Sequence, residues 1–517
     1  MKKKFFKFTA CILAAAASVT IPLSLTGCGG DEKNGRNTTL LQENIVDDNY
    51  DNFYEIFVRS FYDSDGNGVG DFNGVTQKLD YIRDMGYTGI WLMPINPSPS
   101  YHGYDVTDYY NVNSDYGTLA DYDNLVAKAH EKGIKVIIDL VVNHSSDQHP
   151  WFKQGAAFQN GQGGSSKYAS YYNWSATAQA KYTKIGNVYY ESQFDKSMPD
   201  LNIKSEALRE ELDDIIKFWI SDRNTDGFRL DGCYYYSPDG TEASAEYCKF
   251  IHDTAVKYNE NAYIVGECWG PGRNVLENTF YKSGVDSFFD FNVTGEVVGA
   301  ITNKSASRVW NSINKTQEAA GDNIAAPFLS NHDNGVGRIA GRLGRDADKI
   351  QFAYGLLSMY TGNTFTYYGD EIGMTAVRTG SDPDLRIGML WDDIASVTKP
   401  PFGASDNPEY LFGSVKEQSE NNNSILTYYK LCNNARNAFP ALMRGKAERI
   451  TYDDAEVLVM KKTYNNQSIK VVINLGVGEK NVNGIEGDLA QSICVNGNIK
   501  KNGSALNMPA YSIAILT

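Results

Sequence analysis

The sequence predicts an α/β protein: a (β/α)8 barrel of the TIM type, with a subdomain inserted after the third strand and an antiparallel β-sandwich at the C-terminus. Three observations carry this. Eight apolar runs of strand length alternate with longer amphipathic stretches over about 390 residues. After the third run, about 60 residues show little periodicity, too many for a simple loop. Beyond about residue 436 the pattern becomes short alternating strands with turn residues between them.

The eight runs are 54–61 (YEIFVRSF), 88–93 (TGIWLM), 134–143 (IKVIIDLVVN), 227–231 (GFRLD), 262–269 (AYIVGECW), 287–291 (SFFDF), 326–331 (APFLSN) and 364–368 (TFTYY). Helical periodicity fills the gaps, most clearly at 119–132 and 205–222. A doubly wound sheet is the alternative; the count of eight and the polar residues ending so many runs favour the barrel. The expected domains are a catalytic barrel over 48–143 and 205–435, an inserted domain over 144–204, and a C-terminal β domain over 436–517.

The N-terminus reads as a targeting segment. Lys2, Lys3 and Lys4 precede an apolar stretch that ends in Leu25-Thr26-Gly27-Cys28. Pro22 and Ser24 argue against a spanning helix, which needs about 20 unbroken apolar residues. LTGC resembles the bacterial lipoprotein signal, which implies that residues 1–27 are a lipoprotein signal peptide and that Cys28 is lipidated, a plain cleaved signal being the alternative; 28–47 reads as a polar tether. That places a monomer at the bacterial cell surface, held to the membrane by its lipid alone. Apart from Cys11 and Cys28, five cysteines remain, with no metal-ligand spacing and at least one unpaired.

Composition is that of a globular protein, 42% apolar and 21% charged, with 34 tyrosines. A net charge of −15 argues against nucleic acid and anionic surfaces as partners and suits a neutral ligand. Surplus tyrosines either fill cores or stack on flat hydroxylated molecules.

In such barrels the site is built from the C-terminal ends of the strands. Those ends carry Asp139 and His144, Arg229 and Asp231, Glu267, and His332 with Asp333. Three of these carboxylates, Asp231, Glu267 and Asp333, would share one mouth, so something must keep one ionised and another protonated. Residues two apart on a strand face the same way, so Arg229 points with Asp231 and holds it as the anion. An ionised carboxylate beside a proton-bearing one is the apparatus of a retaining glycosidase. Glu267, inside the apolar VGECW, suits the raised pKa of the acid. Taken alone, each residue has a plainer structural reading; their joint occurrence at successive strand ends gives the pattern its weight.

The segments DLVVNH (139–144), GFRLD (227–231), VGECW (265–269) and FLSNHD (328–333) resemble the four signature regions of the α-amylase superfamily, glycoside hydrolase family 13. MPDLN (198–202), YYGDEIGM (367–374) and HGYDVTDYYNVNSDYGT (102–118) extend the resemblance over nearly everything from about residue 50 on. It implies Asp231 as nucleophile, Glu267 as general acid/base and Asp333 as transition-state stabiliser. His144, Arg229 and His332 would surround the sugar at the cleavage point, with Tyr104 stacking beneath it and Asp105 in support. MPDLN resembles a group between oligo-1,6-glucosidases and neopullulanases that includes lipid-anchored bacterial α-amylases. Tyr234 and Tyr235 stand where many α-amylases carry Lys-His against the leaving-group sugars, which implies stacking there instead. Arg386 resembles a substrate-side arginine of glucosidases. The implied activity is retaining, endo-acting hydrolysis of α-1,4-glucosidic bonds in starch and maltooligosaccharides. The alternatives are an oligo-1,6-glucosidase or α-glucosidase, a neopullulanase-like enzyme, and a non-catalytic surface glycan-binding protein.

Residues 63–71 read DSDGNGVGD. Side-chain oxygens at Asp63, Asp65, Asn67 and Asp71, with the Val69 carbonyl, make a hard-oxygen set suited to a structural Ca2+. Gly74 at the twelfth position excludes an EF-hand. The loop resembles the calcium loop after the first strand in the oligo-1,6-glucosidase branch.

Overall fold

The computed structural model describes residues 35–376, 381–405 and 409–517. The expected signal segment, Cys28 and the start of the expected tether lie outside these. Among the described residues, no helix is long and apolar enough to cross a membrane.

The eight expected strands form one parallel sheet: β1 (Asn52–Ile56), β2 (Gly89–Leu92), β3 (Lys135–Leu140), β4 (Gly227–Leu230), β5 (Tyr263–Gly266), β6 (Ser287–Asp290), β7 (Ile324–Pro327) and β8 (Thr364–Tyr367). Neighbours in the sheet are neighbours in sequence, except that β8 pairs with β1. A parallel bridge between Phe328 and Phe365 joins the two remaining edges, so the sheet closes as a barrel. One boundary differs from expectation. The run 54–61 is not all strand: β1 stops at Ile56 and Val58–Phe61 is a helical turn.

Strand alternation explains the barrel's interior. Phe53, Trp91, Ile137, Tyr263, Val265, Phe289 and Phe365 point inward and pack into one apolar layer. Two residues further along their strands the inward positions become Glu55, Asp139, Glu267 and Phe291. The register sets Asp139 beside Arg229 across β3 and β4. A polar layer thus caps an apolar plug, and side-chain chemistry changes only at the strand ends. Gly227, at the start of GFRLD, has a close-packing reason: a Cβ there would lie 1.9 Å from the Tyr263 carbonyl oxygen.

The helices start where their side chains cap them. Thr118 and Asp121 form a reciprocal capping box at the start of Leu119–Glu131, and the Ser205 hydroxyl accepts from Leu208 N–H at the start of Glu206–Lys217.

Residues 144–204 hold helices Pro150–Gln159 and Ser166–Ala169 and a small antiparallel sheet of Trp174–Ser175, Val188–Glu191 and Tyr182–Ile185. The helix Ile425–Ala438 runs through the expected boundary at 436, and the C-terminal strands begin at Lys446. They form a five-stranded and a three-stranded antiparallel sheet. Along Gln467–Asn474, Val472 faces a core shared with Leu506 and Met508 of the smaller sheet, while Val471 and Ile473 join the main core. Period-two alternation therefore divides one strand between two cores.

The polar stretch expected as a free tether is docked from residue 35 onward. Arg36 is buried, and its guanidinium donates to Gln351 Oε1, the Asn422 carbonyl (2.9 Å) and the Ser424 carbonyl. A guanidinium offers five donors, enough to cap the carbonyls that precede the helix Ile425–Ala438.

Candidate active site

A cavity of about 430 Å³ opens at the C-terminal ends of the barrel strands. Its wall includes Tyr104, His144, Asp231, Tyr235, Glu267, Asp333 and Arg386 from the sequence-derived set. Residues as far apart in the chain as 104 and 386 therefore meet at one site.

Arg229 is the centre of that meeting. It is 1% exposed. Its Nη1 lies 2.8 Å from Asp139 Oδ1 and 2.7 Å from Asp231 Oδ1, and its Nη2 lies 2.8 Å from Glu267 Oε2. The expected Arg229–Asp231 pair is present, and the same fork also holds Asp139 and Glu267. Asp231 and Glu267 hang from opposite arms of one planar guanidinium, in one pocket. Burial would lower the Arg229 pKa, but Asp139, Glu267 and Asp231 around it hold it well above its ordinary value.

Burial sets the remaining protonation states. The Glu267 carboxyl is pushed up to about 8 by burial, against the pull of Arg229 and with the push of Asp231 and Asp333. Its Oε2 accepts the Gly232 N–H at 2.9 Å. Asp139 is fully buried and pushed up to about 7 by burial, again against Arg229. His332 is held well below its ordinary value by burial and by Arg386 and Arg229, so it is neutral. His144 is lowered by burial; its Nε2 bonds the Tyr104 carbonyl at 3.1 Å.

Arg386 joins the opposite wall, with its Nη2 2.9 Å from Asp333 Oδ1 and 3.4 Å from Asp382 Oδ2. Asp333 is more open than Asp139, Asp231 and Glu267, its side chain 40% exposed. The Tyr104 hydroxyl lies 2.7 Å from His332 Nε2 and 3.3 Å from Asp139 Oδ2.

Four sequence-derived substrate positions do not line the wall: Arg229 and His332, which are buried behind it, and Asp105 and Tyr234. The Asp105 carboxylate is taken up by the Ser98 hydroxyl (2.5 Å) and the Ser100 hydroxyl. Tyr234 packs against the main core, its ring 6.4 Å from Phe280. The turn Cys233–Tyr235 is 3-10, so successive side chains diverge and only Tyr235 enters the cavity.

A paired-carboxylate cleft of this kind cleaves glycosidic bonds. The family model described as the α-amylase catalytic domain matches residues 55–445. The chain belongs to the α-amylase family. It is a glycoside hydrolase. Alpha-amylase 3 of Dictyoglomus thermophilum is 37% identical over 480 residues, covering 90% of this chain and 92% of that one. Oligo-1,6-glucosidase of Parageobacillus thermoglucosidasius is 29% identical over 510 residues, covering 81% and 89%. Among solved structures, Eubacterium rectale Amy13B matches with a TM-score of 0.85 at 37% identity, covering 92% of this chain and 96% of that one.

In this α-amylase family chain the wall also contains residues that sequence reasoning missed, among them His102, Phe194, Trp269, Phe291 and Asp382. Trp269 and Phe194 are large apolar side chains left 52% and 47% exposed. Trp269 stands two residues beyond Glu267, inside the VGECW already singled out, so alternation alone could have found it. Phe194 lies in the aperiodic insert, where no pattern marked it.

In the 63–71 loop one oxygen from each of Asp63, Asp65 and Asp71 lies within 4.8 Å of the others. Asp63 also accepts backbone N–H groups of Gly66 (2.8 Å) and Gly68 (2.6 Å), which tighten the loop. The all-oxygen donor set fits Ca2+. Asn67 Oδ1 accepts from Val69 N–H at 2.7 Å, so it would turn to join a bound ion. All five cysteines expected in the folded chain are free and buried.

Proposed function

We propose that this protein is a retaining, endo-acting α-amylase that hydrolyses α-1,4-glucosidic bonds of starch and maltooligosaccharides. One observation carries the choice of bond position. Tyr235, Phe194 and Trp269 line the cavity, the last two about half exposed; Phe194 packs edge-on against Tyr235, and Trp269 follows Glu267 by two residues. In this reading they bind the sugars on either side of the cut. Exposed aromatics at a cleft mouth suit a chain that continues past the cut, bound by stacking on sugar faces. The 37% identity to Alpha-amylase 3 over nine-tenths of both chains supports the α-1,4 assignment.

In this reading Asp231 attacks the anomeric carbon while Glu267 gives its proton to the departing oxygen, leaving a glycosyl-aspartate. Glu267, then ionised, takes a proton from water as the water attacks that carbon and frees Asp231. Arg229 holds Asp231 with one arm and Glu267 with the other. Asp333, anchored by Arg386, faces the oxocarbenium charge. His144 and Tyr104 would face the sugar from the cavity wall, with His332 behind Tyr104 and bonded to its hydroxyl. Asp63, Asp65, Asn67, Asp71 and the Val69 carbonyl would hold a structural Ca2+ that stiffens the loop. Lipid on Cys28 would hold a monomer at the cell surface. Replacing Cys28 by Ser should then move the protein from the membrane fraction to the medium.

The deciding experiment is a product profile on amylose, isomaltose and pullulan, with the anomer of the first product followed by NMR. A spread of short α-maltooligosaccharides from amylose is expected. Glucose alone, preferential cleavage of isomaltose, or β-anomeric products would each overturn part of the proposal.

A further inference from the structure

Glu55 takes no part in the mechanism above, does not line the cavity, and yet touches its machinery. It sits on β1 two residues after Phe53, pointing into the barrel, with its side chain 2% exposed. Its Oε1 lies 2.6 Å from His332 Nδ1. The imidazole is clamped besides: it stacks on Tyr104 at an interplanar angle of 17° and meets Trp91 edge-on. Its Nε2 faces the Tyr104 hydroxyl at 2.7 Å and Asp333 Oδ2 at 3.4 Å.

One proton lies between Glu55 Oε1 and His332 Nδ1, and its position decides what Nε2 presents. If Glu55 is ionised, Nδ1 carries the hydrogen and Nε2 offers only a lone pair. If Glu55 is protonated, its O–H donates to Nδ1 and the ring hydrogen is on Nε2. The surroundings favour the second arrangement. Burial raises Glu55 well above its ordinary value, Asp333, Asp139 and Asp370 push the same way, and only Arg229 opposes. Burial, Arg386 and Arg229 keep His332 neutral. The Tyr104 hydroxyl can donate onward to Asp139 Oδ2 at 3.3 Å, which leaves its oxygen free to accept from Nε2–H.

We propose that Glu55 is a positioning residue which, bonded through its acid hydrogen to Nδ1, holds His332 in the Nε2–H tautomer and so makes it a hydrogen-bond donor to the hydroxyl of Tyr104, which lines the cavity. That Tyr104 meets the sugar rests on the glycosidase reading; the tautomer does not, because it is a property of the free protein.

The test is nitrogen-15 NMR of the imidazole side chains near pH 6.5, paired with kinetics on maltoheptaose. With six histidines in the chain, assignment by single substitution is practical. The wild type should show His332 as the neutral Nε2–H tautomer. Glu55→Gln, whose amide N–H also donates to Nδ1, should keep that tautomer and retain kcat within about threefold. Glu55→Ala should lose the preference and drop kcat roughly 100-fold, the scale of one misplaced transition-state donor, with KM within about threefold. An Nδ1–H tautomer or an imidazolium in the wild type overturns the proposal. So does a Glu55→Gln variant that loses the Nε2–H form. If Glu55→Ala does not fold, those two measurements still decide. A wild type inactive on α-glucans would sink the functional reading while leaving the tautomer result to stand or fall by itself.

Discussion

Replacing Glu267 by Gln should make this protein more stable at neutral pH while nearly abolishing its activity. The carboxyl is carried from an ordinary 4.5 to about 8 by burial first, then by Asp231 and Asp333, with Arg229 and the Gly232 N–H opposing. Between those values the unfolded chain has released the proton and the folded protein still holds it. The folded state binds more protons there, so stability falls as pH rises from about 4.5 to about 8. At pH 7 the unfolded carboxyl is about 2.5 units past its pKa, worth about 3 kcal/mol at 1.36 kcal/mol per unit. The side chain is only 12% exposed, so solvent screening removes little of this. Gln has the shape of the protonated acid and does not titrate. The variant should therefore gain roughly 2–3 kcal/mol over wild type at pH 7 and nothing near pH 4.5. Wild-type kcat should fall as pH rises through about 8, where the acid form is lost. Without a proton donor, kcat on maltoheptaose should drop roughly 1000-fold, and much less on a glycosyl fluoride, whose leaving group needs no proton. Denaturant unfolding of both proteins at pH 4.5, 6, 7 and 8 reads the first effect, and parallel kinetics read the second. A stability difference that does not change with pH, or a variant keeping a tenth of wild-type activity on starch, would refute the reasoning.

Other outcomes follow from the same geometry. Asp231→Asn should cost several orders of magnitude in kcat on every α-glucan yet fold, because Arg229 keeps Asp139 and Glu267; wild-type-like hydrolysis would remove Asp231 from the nucleophile's place. Trp269→Ala should raise KM for maltoheptaose roughly tenfold, one aromatic contact of about 1.4 kcal/mol, and leave an aryl maltoside with little beyond its leaving group unchanged. Calcium at about 100 times its Kd should add roughly 2.7 kcal/mol of stability that chelator removes. Asp63→Ala should abolish that calcium dependence with kcat intact, and an identical calcium response in the variant would place the ion elsewhere.

The barrel was legible because each strand obeys one rule to its last residue. Phe53, Ile137 and Val265 are apolar and inward, and the next inward positions are Glu55, Asp139 and Glu267. Ionisable groups in that place have no core to join, so they mark the mouth. The exception shows how the reading works. Glu55 escaped notice because 54–61 was read as one strand, which put it second in the run, far from the C-terminal end. The backbone turns into a helix at Val58, so Glu55 stands one residue before the end of β1. VRSF carries no proline or glycine to announce that turn. Tyr234 failed differently: alternation does not hold in the 3-10 turn after β4, and its ring went to the core. Phe194 and the small sheet of the insert were unreadable because no long periodic face orders that segment, and its side chains are arranged by contacts with the barrel mouth, as Phe194 is with Tyr235.

The arrangement around Arg229 shows why the site needs the whole barrel. Asp139, Asp231 and Glu267 come from β3 and the ends of β4 and β5, none lies close to another in sequence, and only Asp231 is near Arg229. Three carboxylates crowded so closely would repel. One fully buried cation holds them together: Asp231 and Asp139 share Nη1, while Glu267 meets Nη2 and is still pushed up to about 8. The fork thus sets Asp231 and Glu267 on separate arms, the arrangement that the proposed paired-carboxylate hydrolysis requires. A lysine could not do this from the same place, because a single ammonium has no two arms to hold Asp231 and Glu267 apart.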